Sequence, residues 1–137
     1  MSVMEYDGIW VPGDPKTKGS WVPVKAADGR IKFRPATKGT SKWCKDAVAA
    51  IAAQWRGPLL DGPVRARFLF LLPKPPTVTR AYPTSSRDGD VDKLIRALFD
   101  AMTGTVYRDD GQVVDSSEKK RYATGETGAW IYIDTDV

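Results

Sequence analysis

The sequence contains no histidine. That excludes Ser-His-Asp triads, Cys-His pairs, His-ligated metals and nucleases built around a histidine base. It has one cysteine, Cys44, so neither an internal disulfide nor a cysteine-built zinc site can form. Cys44 reads as a small buried apolar residue. No apolar run approaches the ~18 residues of a membrane-spanning helix. No basic segment followed by an apolar one opens the chain, so the expected location is the cytoplasm. Internal repeats and low-complexity tracts are also lacking. With histidine and cysteine gone, a metal site has only carboxylates to use, and these suit hard ions such as Mg²⁺ or Mn²⁺.

What is present fits one domain spanning 1–137. Hydrophobic residues make up 42% of the 137, with five Trp and five Tyr. That supports a core without crosslinks. The net charge is +4, and the positive charge is concentrated. Lys16, Lys18, Lys25, Arg30, Lys32, Arg34, Lys38, Lys42 and Lys45 fall in one stretch opposed by few acids. Trp21, Phe33 and Trp43 interleave with them. This pattern suits a polyanion such as nucleic acid, although a solvated lysine-rich surface has the same composition.

Patterning predicts a short first strand over Asp7–Val11 and a loop over Gly13–Ser20. Strands follow at Ser20–Lys25 and Arg30–Arg34, paired as a hairpin about Ala27-Asp28-Gly29. Trp43, Ala47, Val48, Ile51 and Trp55 recur at helical spacing, so a helix capped by Thr40 or Ser41 is expected to end before Gly57-Pro58. Val64–Leu72 begins as an alternating strand and becomes apolar on both faces, as a central strand does. Pro73–Arg87, with its prolines, reads as a long loop of functional interest. A second helix begins at Asp90, with Val91, Leu94, Ile95, Leu98 and Met102 in one stripe and Gly104 as its stop. Thr105–Tyr107 and Val113–Asp115 flank a turn at Arg108–Gly111, and Ala129–Ile133 is strand-like. The order implies an α+β domain with a small mixed sheet and two main helices.

The segment Asp88–Tyr122 carries the chemistry. It places Asp90 and Asp92 at the start of a helix and returns Asp109 and Asp110 from the turn after it. If the chain runs back so that the two pairs meet, several carboxylates converge. Such a cluster repels itself and raises its own pKa values unless a cation is bound. A divalent ion there activates water and neutralises charge on a phosphate. Arg96, one turn along, is placed to add transition-state stabilisation. Each acid also has a structural reading. Asp90 suits an N-cap, Asp92 suits the helix dipole, and Asp109-Asp110-Gly111 suits a turn.

This segment resembles the RusA Holliday-junction resolvases. Their pattern is Asp-x-Asp-Asn-Leu-x-Lys, then Asp-Ala-Leu, then aromatic-x-Asp-Asp-x-Gln-Val/Ile, with a later lysine. Here the sequence has Asp90, Asp92, Lys93, Leu94 and Arg96, then Asp100-Ala101-Met102. Tyr107, Asp109, Asp110, Gln112 and Val113 follow, with Lys120 downstream. Asp90, Asp92 and Asp110 match the family's metal-binding aspartates. Arg96 stands where that family has a lysine, keeping charge but transferring protons less readily. Lys93 replaces an asparagine, which adds a cation that can grip phosphate or pair with an aspartate.

The resemblance implies a RusA-like fold and a Mg²⁺-dependent endonuclease, with Mn²⁺ substituting. It also implies a homodimer that resolves four-way DNA by paired symmetric nicks, its twofold axis matching that of the junction. Expected phosphate contacts are Lys16, Lys18, Arg87, Lys93 and Lys120, with Lys119 and Arg121 beside Lys120 as further candidates. Two other readings share the motif: a less selective flap or branched-DNA nuclease, and a junction-binding protein that cuts weakly. Compact resolvases of this kind often belong to phages or prophages.

Overall fold

The computed structural model describes residues 8–19, 21–35, 38–85 and 88–137. Its strands are β1 (Ile9–Pro12), β2 (Trp21–Lys25), β3 (Ile31–Pro35), β4 (Val64–Leu72), β5 (Val113–Tyr122) and β6 (Gly128–Asp134). Its helices are α1 (Thr40–Gln54) and α2 (Val91–Met102), with a 3-10 turn over Asp110–Gln112. Four strands form one mixed sheet in the order β1-β6-β4-β5. β6 is antiparallel to both β1 and β4, and β5 is parallel to β4. This is the expected α+β domain.

Strand periodicity decides where the core sits. Val64, Ala66, Phe68, Phe70 and Leu72 alternate inward from β4, and Ala129, Ile131 and Ile133 do so from β6. They meet Trp43, Ala47 and Ile51 of α1 and the Leu94, Leu98 and Met102 stripe of α2, all buried. The edge of Phe99 packs on Phe68 with centroids 5.6 Å apart. Both helices thus lie on one face of the sheet. The other face carries Trp10, Leu69, Leu71, Trp130 and Tyr132, which no helix covers.

β2 and β3 form a separate two-stranded sheet. Its turn is tied by the Ala26 N–H to the Arg30 carbonyl at 2.8 Å and by the Arg30 N–H to an Asp28 carboxylate oxygen at 3.0 Å. Gly29, at φ +84°, supplies the left-handed turn position. The hairpin expected about Ala27-Asp28-Gly29 therefore forms.

Three expectations are corrected. The first strand runs Ile9–Pro12, because its register is set by pairing Ile9 with Ile131 and Pro12 with Gly128; Asp7 lies outside the described residues. Helix α1 has Gly39 at its N-cap with no side-chain cap, and the Thr40 hydroxyl donates to the Thr17 carbonyl at 3.0 Å instead. β5 continues for seven residues beyond the expected Val113–Asp115, to Tyr122. It is a sheet edge, so Ser116, Ser117 and Lys119 are exposed and no apolar alternation marks it. The lysines there also deter pairing with another edge.

Gly128 shows how tightly β1 closes on β6. A Cβ there would collide with the Val11 carbonyl oxygen and the Trp10 ring. We expect Gly128→Ala to destabilise the fold by roughly 1–3 kcal/mol through overpacking. Urea denaturation followed by tryptophan fluorescence measures it; an unchanged midpoint would show that β1 shifts freely.

Candidate active site

The start of α2 is anchored from two sides. Lys120 of β5 donates its ammonium to the Gly89 carbonyl at 2.8 Å. The Lys18 N–H donates to the Lys93 carbonyl at 3.1 Å. Asp90 occupies the N-cap position, and its carbonyl accepts from the Lys93 and Leu94 N–H groups at 3.1 and 3.0 Å. Its carboxylate makes no capping hydrogen bond. The structural task expected of that side chain is therefore not performed. Its neighbour is the Lys93 ammonium at 4.0 Å, a loose pair. Asp92, one residue into the helix, is exposed and has no hydrogen-bond or ion-pair partner among the described residues.

Asp92, Arg96 and Asp100 recur every four residues, so they lie along one exposed face of α2. Gly19 passes close against the Arg96 guanidinium; a Cβ there would clash with it. The Lys18 ammonium pairs with Asp100 at 2.6 Å. The pair also raises the Lys18 pKa, chiefly through the hydrogen bond to Asp100. Both side chains are more than a third exposed, so the bond tethers the 13–19 segment more than it stabilises the fold.

The Asp-Asp-x-Gln segment divides its labour. Asp109 caps the 3-10 turn, accepting from the Gly111 N–H at 3.0 Å. The Gln112 side-chain oxygen, Oε1, accepts from the N–H groups of Arg108 and Asp109 at 2.9 and 3.0 Å. Its amide donates to the Leu60 and Gly62 carbonyls at 2.8 and 3.0 Å. Asp109 and Gln112 are thus brackets that hold the turn. Tyr107 fixes it to α2, its hydroxyl donating to the Phe99 carbonyl at 2.8 Å. Burial raises the Tyr107 pKa above its ordinary value, with the Asp110 charge adding to the effect.

Asp110 is the exposed acid left over. Its pKa is raised, first by partial loss of water, then by the hydrogen bond shared with Asp109 and by the charges of Asp109 and Asp100. A carboxyl that holds its proton more tightly when folded contributes stability at low pH, and loses it as pH rises through that raised pKa. At neutral pH its ionised form is therefore a cost. Asp110→Asn is expected to raise Tm in EDTA at pH 7 by roughly one to two degrees. The gain should disappear below the carboxylate range. A lower Tm at pH 7 would show that the charge supports the turn instead.

β5 runs back from this turn to the start of α2, where Lys120 meets Gly89. Asp110 therefore lies at the C-terminal end of the helix, beside Asp100, and Asp90 and Asp92 lie at the other end. Eight residues of helix, about 12 Å, separate Asp92 from Asp100. Among the described residues no three carboxylates stand close enough to hold one metal ion. Lys16 lies against Gly39 at the start of α1. Arg87 lies outside the described residues. Lys93 and Lys120 both flank the start of α2, and Lys18 is engaged with Asp100.

An α+β domain with uncommitted carboxylates at the head of a buried-stripe helix, flanked by lysines, is suited to charged phosphate chemistry. The chain belongs to the RusA endodeoxyribonuclease family, whose model matches residues 12–134. It is also similar to YqaN, an uncharacterized protein of Bacillus subtilis (strain 168). The two are 29% identical over 107 residues, covering 70% of this chain and 74% of YqaN. Family membership makes the protein an endodeoxyribonuclease by class. Among the described residues no helix is long and apolar enough to cross a membrane.

Proposed function

We propose that the protein is a divalent-cation-dependent endonuclease that resolves four-way DNA junctions by paired nicks. The observation that carries the reading is the division of labour at both ends of α2. Backbone groups cap the helix, and Asp109 with Gln112 holds the turn, so the carboxylates of Asp90, Asp92 and Asp110 are spent on neither task. Their all-oxygen donor set fits Mg²⁺ or Mn²⁺. A bound ion would supply charge stabilisation at the scissile phosphate and a more acidic water. Within one chain only Asp90 and Asp92 are neighbours, so a third donor must come from elsewhere. A homodimer, already required for symmetric nicking, supplies it if Asp110 of one copy faces Asp90 and Asp92 of the other.

The chain's own cations have separate tasks. Arg96, one turn from Asp92, neutralises charge developing on the phosphate. Lys120 holds the head of α2 through Gly89 and keeps two ammonium protons for a phosphate oxygen. Lys93 grips the adjoining phosphate. Lys16, Lys18 and Arg87 extend the contact along the DNA, Lys18 by exchanging its exposed Asp100 partner. Because these contacts are to phosphate, affinity falls steeply with salt. The site of action is the cytoplasm, in a phage or prophage setting.

Lys93 near Asp90 supports a second reading, a branched-DNA-binding protein that cuts weakly. Labelled four-way junction, flap and linear duplex, each in Mg²⁺, Mn²⁺ or EDTA, separate the readings. Symmetric junction nicks that require the cation are expected. Preferential flap cutting, or tight junction binding with no cutting, would overturn the resolvase reading.

A further inference from the structure

The sheet face opposite the helices has no task in the chemistry above. Trp10, Trp130 and Tyr132 lie across it in a row, with centroids 5.1 Å apart for Trp10 and Trp130 and 6.1 Å for Trp130 and Tyr132. Two glycines let these rings lie down on the sheet. A Cβ at Gly128 would strike the Trp10 ring, and one at Gly8 would strike Tyr132 and Trp130. The three rings therefore form one aromatic row on the side of the sheet away from the helices. Tyr132 is 39% exposed, and Trp10, Trp130, Leu69 and Leu71 are half-buried. Trp10, Trp130, Leu69 and Leu71 floor a shallow depression of about 620 Å³ with Arg121 on one side and Glu126 on another, and Tyr132 lies beside it with Leu69 and Lys119.

The charge on this face is sorted. Strand register runs Trp10, Trp130, Leu69, Lys119 across the sheet, with Leu71 beside Arg121 in the row two residues along. Arg65 and Arg67 are engaged with Asp134, at 3.1 and 3.7 Å. Lys119 lies over the Tyr82 ring at 5.9 Å. Neither Lys119 nor Arg121 has a carboxylate within ion-pair distance among the described residues. Two cations without a carboxylate partner among the described residues thus stand on β5, two strand spacings, about 10 Å, across the sheet from β6.

We propose that this face binds single-stranded DNA, its unpaired bases lying on Trp130, Tyr132 and Trp10 and its phosphates on Lys119 and Arg121. Flat aromatic faces with a flanking cationic strand are what sequence-tolerant single-strand binding requires. A duplex hides its base faces in the stack and cannot use the rings. A second copy is the other occupant of an apolar face. However, the copy that would bring Asp110 to Asp90 and Asp92 must approach the exposed side of α2, beyond the opposite face of the sheet. This surface then stays open on the outside of the dimer. The inference rests on the nuclease reading only for that last step, and it adds a contact for strands unpaired at a branch.

The test is a titration of labelled oligo-dT of about twelve nucleotides into the full chain in EDTA, where nothing is cut. Anisotropy and intrinsic tryptophan fluorescence are read together, with blunt duplex as competitor. Saturable binding with tryptophan quenching is expected. Tyr132→Ala, and separately the pair Lys119→Ala with Arg121→Ala, should each weaken it roughly fivefold or more, and Asp92→Asn should not. Lys119 is exposed and Arg121 half-buried at the sheet edge, outside the core, so the charge pair tests the face even if Tyr132→Ala fails to fold. Oligo-dT affinity unmoved by the charge pair would overturn the proposal. So would conversion of a dimer to monomer by Tyr132→Ala in sedimentation, which would assign the face to a second copy. Junction cleavage is scored separately, so loss of the nuclease reading and loss of this one are distinguishable.

Discussion

Asp92→Asn is expected to cut four-way junctions roughly a thousandfold more slowly than the wild type, about 4 kcal/mol of barrier. Junction binding in EDTA should be retained or slightly tightened. The side chain is exposed, and asparagine matches its shape, so the fold loses at most a few tenths of a kcal/mol of helix-dipole interaction. What it does lose is one of the two neighbouring free carboxylates. A neutral amide is a poorer ligand for a hard cation and leaves less local charge to offset it. Removing negative charge near a phosphate also explains why binding need not suffer. Asp100→Asn is the internal control. Asp100 shares the exposed face of α2 but is already paired with Lys18. Its loss should free the 13–19 segment while leaving cleavage within several-fold. Cleavage by folded Asp92→Asn within tenfold of wild type would remove Asp92 from the site.

Much of this was legible in the sequence where one periodicity dominates. The α2 stripe is unambiguous because one face is buried and the other is charged. β4 reads as central because it is flanked on both sides, by β6 and β5. The DGDVD and YRDDGQ segments could be found by residue type and spacing. Their internal division could not. Asp109 and Asp110 are the same residue type, and only the backbone decides that one caps a turn and the other stays exposed beside it. Asp90 shows the converse. Its position is an N-cap, yet its carboxylate is not spent there. The bond between Lys18 and Asp100 joins residues 82 apart and leaves no local signal. The length of β5 was missed because an exposed edge strand has no face to bury. The aromatic row had a signal in the alternation of Trp130 and Tyr132 with Ala129, Ile131 and Ile133. A single aromatic on β1, Trp10, needs the register to complete it.

Mixing two inactive variants is expected to restore nicking. In Asp92→Asn the turn carrying Asp110 is intact, and in Asp110→Asn the pair Asp90 and Asp92 is intact. Within one chain these groups sit at opposite ends of α2, and no three acids converge among the described residues. If the complete site lies between two copies, a mixed dimer holds one site with every carboxylate and one lacking two. Random mixing makes about half the dimers mixed, so nicking should recover to about a quarter of the wild-type level. Each mixed dimer has one working site, so the product should be single nicks rather than paired ones. Nicked junctions would then accumulate without resolution, and a denaturing gel beside a native gel reads both. If each site is built within one chain, by a movement of the turn along α2, the mixture stays as inactive as its components. Recovery therefore depends on geometry that neither variant reveals alone. It also makes cleavage depend on protein concentration near the dimer dissociation constant, because diluting the protein would dismantle the site and the nuclease together.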